Sequence, residues 1–505
     1  MKTIDLNSSI SGLISNLFLK SQISRNLLEG QLKKYMKQKI LNNTESQASK
    51  ISRQYQFFAL WAMYKSFVRN IDKGKISSKV TKRIIESFLN SVLLRKNVSN
   101  ESRQIFQNKH GILPPTFITI SPTKKCNLKC IGCYAASSPA TETTLNWTLL
   151  NRIIEDAYSS MGMRFFVISG GEPLLYKSED RTILDLAERW SDCFFLMYTN
   201  GTLINENIAS RMADLGNITP AISIEGYETE TDERRGKGVY QRIIKAKDNL
   251  ISNGVPFGLS VTATKENIDT LLSESFYDFY FNEFGAIYIW VFQYMPIGRD
   301  FSEDLMISPQ QRLQLHKIQD KILTEKEYFV ADFWNSAPMS NGCISCGRAG
   351  GGYIYINWDG NIMPCVFVPY YHDNINTLYN TGKSLSDALF TPLFIKGRAW
   401  QKEYIGNKDN PGNLLRPCFY RDHYKTFCEI AIQTHVLPEN EDAQKAFNSK
   451  EYYEFMLKFD KELEELSSPV WDNLKKNHKT KMQMFDVKYD TGLTDDDFTV
   501  RKLKK

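Results

Sequence analysis

Apolar positions along the chain change their period near residue 115. Before that point they recur at helical spacing: Ile10, Leu13, Ile14, Leu17 and Phe18 follow i, i+3, i+4, i+7, i+8, with Ser8 or Ser9 placed to cap. A second helix is predicted from about Gln54 to Asn70, rich in Phe57, Phe58, Trp61, Tyr64, Phe67 and Val68. A third runs from about Lys79 to Leu94, with Ile84, Ile85, Phe88, Leu89 and Val92 on its apolar side. Short apolar runs then alternate with amphipathic segments. Strands are expected at Thr116–Ile120, Arg164–Ser169, Cys193–Thr199, Pro220–Ile224, Pro256–Thr262 and Ala286–Gln293. Strand–helix repetition of this kind implies a parallel sheet with helices outside, and right-handed crossovers curl it toward a barrel. After about residue 325 the pattern breaks into Gly- and Cys-rich pieces, and a highly charged segment closes the chain, with a helix expected around Lys458–Glu465.

Length and charge sharpen this outline. At 505 residues the chain is too long for one ordinary domain. The expected division is a helical region over 1–112, an α/β barrel over 113–325, a Cys-rich unit over 326–435 and a charged helical tail over 436–505. Residues 1–110 hold 20 Lys and Arg against 6 Asp and Glu, a surplus of 14, which leaves residues 111–505 with a deficit of 8. A basic helical region fits either a bundle packed on the enzyme or an amphipathic surface resting on anionic lipid. Nucleic acid is not expected. The longest apolar run, Ala286–Phe292, is far shorter than the roughly 20 residues of a membrane span, and the N-terminus lacks a cleavable leader. A cytoplasmic protein is expected, with peripheral contact at the inner face of a membrane as the extension of the lipid reading. Nine cysteines, mostly in short-spaced groups, read as metal ligands in a reducing compartment.

The chemistry concentrates in Ser121-Pro-Thr-Lys-Lys-Cys-Asn-Leu-Lys-Cys-Ile-Gly-Cys-Tyr-Ala135, directly after the first strand. Cys126, Cys130 and Cys133 stand close enough to hold three irons of one cubane cluster. Such clusters normally take four cysteines, so three leave one iron open for chemistry. This run resembles the signature of the radical S-adenosylmethionine (SAM) enzymes. Ser169-Gly-Gly-Glu-Pro173, Tyr198-Thr-Asn-Gly-Thr-Leu203, Ser223-Ile-Glu-Gly226, Arg234-Arg-Gly-Lys-Gly238 and Gln293-Tyr-Met-Pro-Ile-Gly-Arg299 follow in that family's order.

The resemblance implies a partial (β/α)6 TIM-like barrel with a SAM-binding [4Fe–4S] cluster on Cys126, Cys130 and Cys133. Reductive cleavage of SAM there gives a 5′-deoxyadenosyl radical that abstracts hydrogen from a substrate, and a reductant such as ferredoxin or flavodoxin is needed. Gly170 and Gly171 would let backbone approach the cofactor, and Glu172 would offer a carboxylate to its ammonium. Ser223 would bond the ribose or methionine end, and Arg235 the cofactor carboxylate. For Ser223 a helix cap, and for Arg235 surface ion pairing, remain alternatives. Gly132 departs from the family, where an aromatic near adenine is common; Tyr134 is the expected substitute.

A second cysteine group comprises Cys343, Cys346, Cys365, Cys418 and Cys428. Cys346-x13-Gly360-x4-Cys365 resembles the opening of the SPASM/twitch auxiliary-cluster module, a small Cys-rich α+β domain, with a hairpin turning at Asp359-Gly360. Only five of its seven cysteines are present, which implies one further [4Fe–4S] cluster. Cys343, Cys365 and Cys418 rank first as ligands, and the fourth position stays open among Cys346, Cys428 and substrate. A tetrahedral zinc is the competing reading of Cys343-x2-Cys346. Cys193 reads as core, and His372 and His423 as structural. The substrate stays open among a lipid or alkyl chain, a peptide and a cofactor precursor, and a non-catalytic cluster or zinc protein is the alternative to an enzyme.

Overall fold

The computed structural model describes residues 22–43, 46–88, 96–299 and 302–491. The helix expected on Ile10–Phe18 lies outside them, as do Leu89 and Val92. Six strands appear where they are expected: β1 Phe117–Ile120, β2 Phe165–Ile168, β3 Phe194–Thr199, β4 Ile218–Ile224, β5 Gly258–Ala263 and β6 Ile289–Gln293. They pair in parallel in sequence order. The sheet is extended at both edges. β7 (Val330–Asp332) pairs in parallel with β6, and β8 (Tyr353–Ile356) pairs in parallel with β1. β8 turns at Asp359-Gly360, with Gly360 at φ +83°, into antiparallel β9 (Asn361–Met363), so the expected hairpin is built onto the barrel sheet itself.

The helices between strands begin and end where the side chains dictate. Asn146 accepts from the Leu149 amide to open Trp147–Met161, and Gly162 closes it at φ +67°; Asn205 and Gly216 do the same for Glu206–Leu215. Strand period then sorts the core into two. Outward residues such as Ile118, Ile120, Phe166, Ile168, Met197, Ile222 and Val261 pack on these helices. Inward residues, among them Phe117, Phe165, Val167, Leu196, Ala221, Trp290 and Ala331, belong to a second core that includes helix Lys50–Asp72.

That helix is the basic region's main contribution. Its Phe57, Phe58 and Trp61 are buried against the barrel, worth on the order of 1.5–3 kcal/mol each. Asn70 donates to the Ala286 carbonyl, and Lys73 and Lys75 to those of Asn282 and Glu283, all just before β6. The helix therefore closes the barrel at the N-terminal ends of its strands. Its aromatic face is spent on protein, so the lipid-surface reading gains no support from it. Among the described residues no helix is long and apolar enough to cross a membrane. The charged C-terminal segment forms helix Lys450–Thr491, and its Trp471 is buried in the same core as Trp61.

Candidate functional site

The loop after β1 carries Cys126, Cys130 and Cys133 over the C-terminal ends of the strands, where barrels place their sites. Five segments pin it. Gly171 donates to the Thr123 carbonyl at 2.9 Å and Glu172 to that of Lys125 at 2.8 Å. The Asn200 amide donates to Asn127 at 2.8 Å, and Asn127 to the Thr202 hydroxyl at 2.8 Å. Lys124 donates to the Thr143 carbonyl at 2.8 Å, and Ile131 to that of Arg234 at 3.0 Å. The Arg299 guanidinium donates to the Cys130 carbonyl at 2.9 Å and to that of Ser137, while its own amide donates to Cys133 at 3.0 Å.

The glycines of Gly-Gly-Glu-Pro serve this loop-on-loop packing. A Cβ at Gly171 would stand 2.2 Å from the Lys125 carbonyl oxygen; one at Gly170, held at φ +112°, would stand 2.7 Å from that of Thr123. Both glycines also line the cavity below the loop. Glu172 follows them in the chain. Its carboxylate is fully buried, does not line the cavity, and accepts from the Thr199 hydroxyl at 2.7 Å and the Asn200 amide at 2.7 Å. Burial raises its pKa against the pull of these hydrogen bonds. Its side chain thus ties the end of β2 to the end of β3, while Ser169, Gly170 and Gly171 line the cavity beside it.

Ser223 and Arg235 both line that cavity. Ser223 shares a hydrogen bond of 3.1 Å with Ser260 on β5 and caps no helix. Arg235 is held by Glu225, which also accepts from Arg234 at 2.5 Å. Burial lowers the Arg235 pKa, but Glu225, Cys130 and Cys133 outweigh it and the net shift is upward. A buried guanidinium facing two thiols suits an anionic cluster held by them. Burial pushes the Cys126 thiol up to about 12 and raises Cys130, with Arg235 opposing at Cys130, so ligation must draw off these protons.

The missing aromatic at Gly132 has a structural counterpart. Gly132 sits at φ +61°, and a Cβ there would lie 2.6 Å from the Tyr294 ring. Tyr294, from the segment after β6, fills that place. Tyr134 instead shares a 2.9 Å hydrogen bond with Ser169 and accepts from the Gly170 amide.

Cys343, Cys365 and Cys418 line the same cavity from the opposite side. Cys346 lies behind them, fully buried at φ +55°, electrostatically coupled to Cys343 and Cys418. Cys365 accepts from the Tyr353 hydroxyl at 3.0 Å, and Gln401 fixes Ser345 between Cys343 and Cys346 at 3.0 Å. Burial raises Cys365 and pushes Cys346 and Cys418 up to about 12. Cys428 does not join this set; it stands on helix Tyr424–Thr434 beside Tyr424, outside the cavity. His423 is buried against Trp400 and Tyr404 and donates to or accepts from nothing in the cavity, His372 pairs with Asp373 at the surface, and Cys193 is core. Among the described residues no three Cys, His, Asp or Glu converge as the ligands of one ion do; a cubane takes its thiolates on separate irons and does not ask for that convergence.

Cys418 is placed by a buried ion network. Arg312 grips Asp422 at 2.6 and 3.0 Å, Asp422 accepts from the Cys418 amide at 3.1 Å, and Arg421 bridges Asp422 to Gln293 of β6. Burial pushes the Asp422 carboxyl up, but Arg312 and Arg421 hold it well below the usual range. Phe367 also lines the cavity, packed edge-on or tilted against Tyr134, Phe292, Phe333 and Trp334 at 4.9–6.3 Å between ring centres. Asn200 and Tyr294 lay inside motifs visible in the sequence; Phe367 and the Arg312–Asp422 pair had no signal there.

Residues 120–273 match the family described as the Radical SAM superfamily. A radical SAM domain thus spans residues 120–273, and the chemistry that goes with it is cleavage of SAM at a [4Fe–4S] cluster to a 5′-deoxyadenosyl radical. It is 27% identical over 292 residues to the AdoMet-dependent heme synthase of Methanosarcina barkeri, covering 52% of this chain and 79% of that one. Over 302 residues it is 27% identical to the mycofactocin maturase MftC of Mycolicibacterium smegmatis, covering 57% and 72%. Among solved structures, Streptococcus suis SuiB bound to S-adenosylmethionine aligns at 18% identity with a TM-score of 0.49, over 67% of this chain and 84% of SuiB.

Proposed function

We propose that Cys126, Cys130 and Cys133 hold the SAM-cleaving cluster, and that Cys343, Cys365 and Cys418 hold a second [4Fe–4S] cluster in a SPASM/twitch-like unit, with Cys346 the fourth thiol. The observation that carries this reading is one cavity lined by both sets of thiols. Backbone of Gly170 and Gly171 would flank the methionine end of SAM, Ser223 would donate or accept a hydrogen bond there, and Arg235 would face its carboxylate while remaining clamped by Glu225. A one-electron carrier such as ferredoxin or flavodoxin would serve as the reductant.

Anaerobic reconstitution tests it. Two cubanes give about eight irons per chain. In Cys343→Ala/Cys365→Ala/Cys418→Ala the count should fall to about four while 5′-deoxyadenosine is still released. An unchanged iron count in that variant, or zinc in place of iron in the wild type, would sink the second cluster. Cys130→Ala should abolish release.

A further inference from the structure

Closed eight-stranded barrels fill their interior with layers of side chains; the sheet here stays open, its two end strands unpaired with one another. Here the inward row borders a cavity of about 430 Å³ whose walls also carry Cys126, Cys130, Cys133, Cys343, Cys365 and Cys418, so the clusters and SAM take up part of it and only the deep end is open to a substrate. It runs deep. Phe165, Val167 and Ser169 of β2 all line it, a span of about 13 Å at 3.3 Å per residue.

Its chemistry changes with depth. Near the cysteine loop the lining is polar: Ser169, Asn200, Ser223, Thr262 and Arg235. Further down it is Phe117, Phe165, Val167, Leu196, Trp290 and Ala331. The charged groups on the lining are all engaged by protein. Arg234 and Arg235 share Glu225, and Asp332 accepts from Gln293, Gln319 and the amides of Trp334 and Asn335. A phosphate or carboxylate driven to the deep end would meet no counter-charge among the described lining residues, a costly burial. The floor is also built. Ala337 and Met339 line the cavity, and helix Lys50–Asp72 holds their segment from behind: Gln56 donates to the Met339 carbonyl at 3.1 Å and Ser52 to Asn341 at 2.9 Å.

We infer that the substrate carries an elongated, uncharged apolar group, an alkyl chain or an aryl ring system, which enters the barrel between β2, β3 and β6 and rests on the floor backed by Lys50–Asp72. A carbon at its upper end then lies level with the polar row, where the radical is produced. The inference rests on the proposed site for SAM, but its test does not require turnover.

Neutral N-phenyl-1-naphthylamine, whose fluorescence rises in apolar surroundings, is titrated into reconstituted full-length enzyme. Saturable binding is expected in the wild type. Ala331 sits beside Trp290 on the neighbouring strand, so Ala331→Leu should weaken binding several-fold and Ala331→Trp roughly tenfold or more, about 1.4 kcal/mol. The milder variant keeps the test decisive should the larger side chain disturb folding. Competition by 1-decanol would identify an alkyl group and competition by naphthalene an aryl one. Non-saturable wild-type binding, no displacement by either competitor, or equal affinity in wild type and Ala331→Leu would overturn the inference. Intact binding in a preparation with two clusters that releases no 5′-deoxyadenosine would instead count against the proposed SAM site.

Discussion

The two thiol sets reach one cavity by opposite routes. Cys126, Cys130 and Cys133 come from a single loop of eight residues, braced by backbone and amide hydrogen bonds. Cys343, Cys365 and Cys418 come from three separated stretches, and the last is placed by a fully buried Arg–Asp–Arg network. The first arrangement is local and tolerant of what lies far away. The second exists only when helix Pro309–Thr324, β6 and the loop before Tyr424–Thr434 are docked together.

Perturbing the network should therefore separate the two sets. Arg312→Met strands Asp422 without its bidentate partner, and a broken buried pair of this kind costs about 3–5 kcal/mol. Denaturant unfolding should register that loss, with about half the iron lost on reconstitution; equal loss from both sets would mean they are not independent. The same network has a pH signature. Asp422 is held below its ordinary pKa, so its contribution is complete above about pH 4 and is lost as pH falls toward its folded value.

The loop set should respond to geometry. Gly171→Ala pushes a methyl against the Lys125 carbonyl, and a displacement of about 1 Å in a reacting geometry can cost about 10²-fold. Release of 5′-deoxyadenosine should fall by that order with iron content little changed. Asn200→Ala removes the amide that joins Asn127 to Thr202 and should cost about 1–2 kcal/mol of stability. Cys428→Ser should do least. If its iron count fell like that of Cys346→Ser, the membership of the second set would be redrawn.

Much of the fold was legible because strand period and helix caps are local signals. Each expected strand formed within three residues of its predicted start, since β-branched and aromatic runs bounded by turns leave little choice. The site was legible where chemistry was contiguous. It was less legible where a side chain's surroundings depended on its neighbours in space. Glu172 accepts from Thr199 and Asn200 across the strand ends, partners that its own motif does not announce. Gly132 looked like a missing aromatic, and Tyr294 supplies the ring from 162 residues away. The basic helical region read first as a bundle packed on the enzyme and second as a lipid surface, because a helical apolar face does not declare its partner.

By itself, the sequence determined the barrel's strands, the loop of three thiols and the order of the motifs at the strand ends, all set by short-range covalent spacing and backbone preference. Tertiary structure alone decided that β8 joins β1, that Cys343, Cys365 and Cys418 line the cavity of the first cysteine loop while Cys428 does not, and that the barrel's interior stays open above a helical floor. Those outcomes turn on which buried surfaces and charges meet across hundreds of residues, and pairing over such distances leaves no periodic trace along the chain.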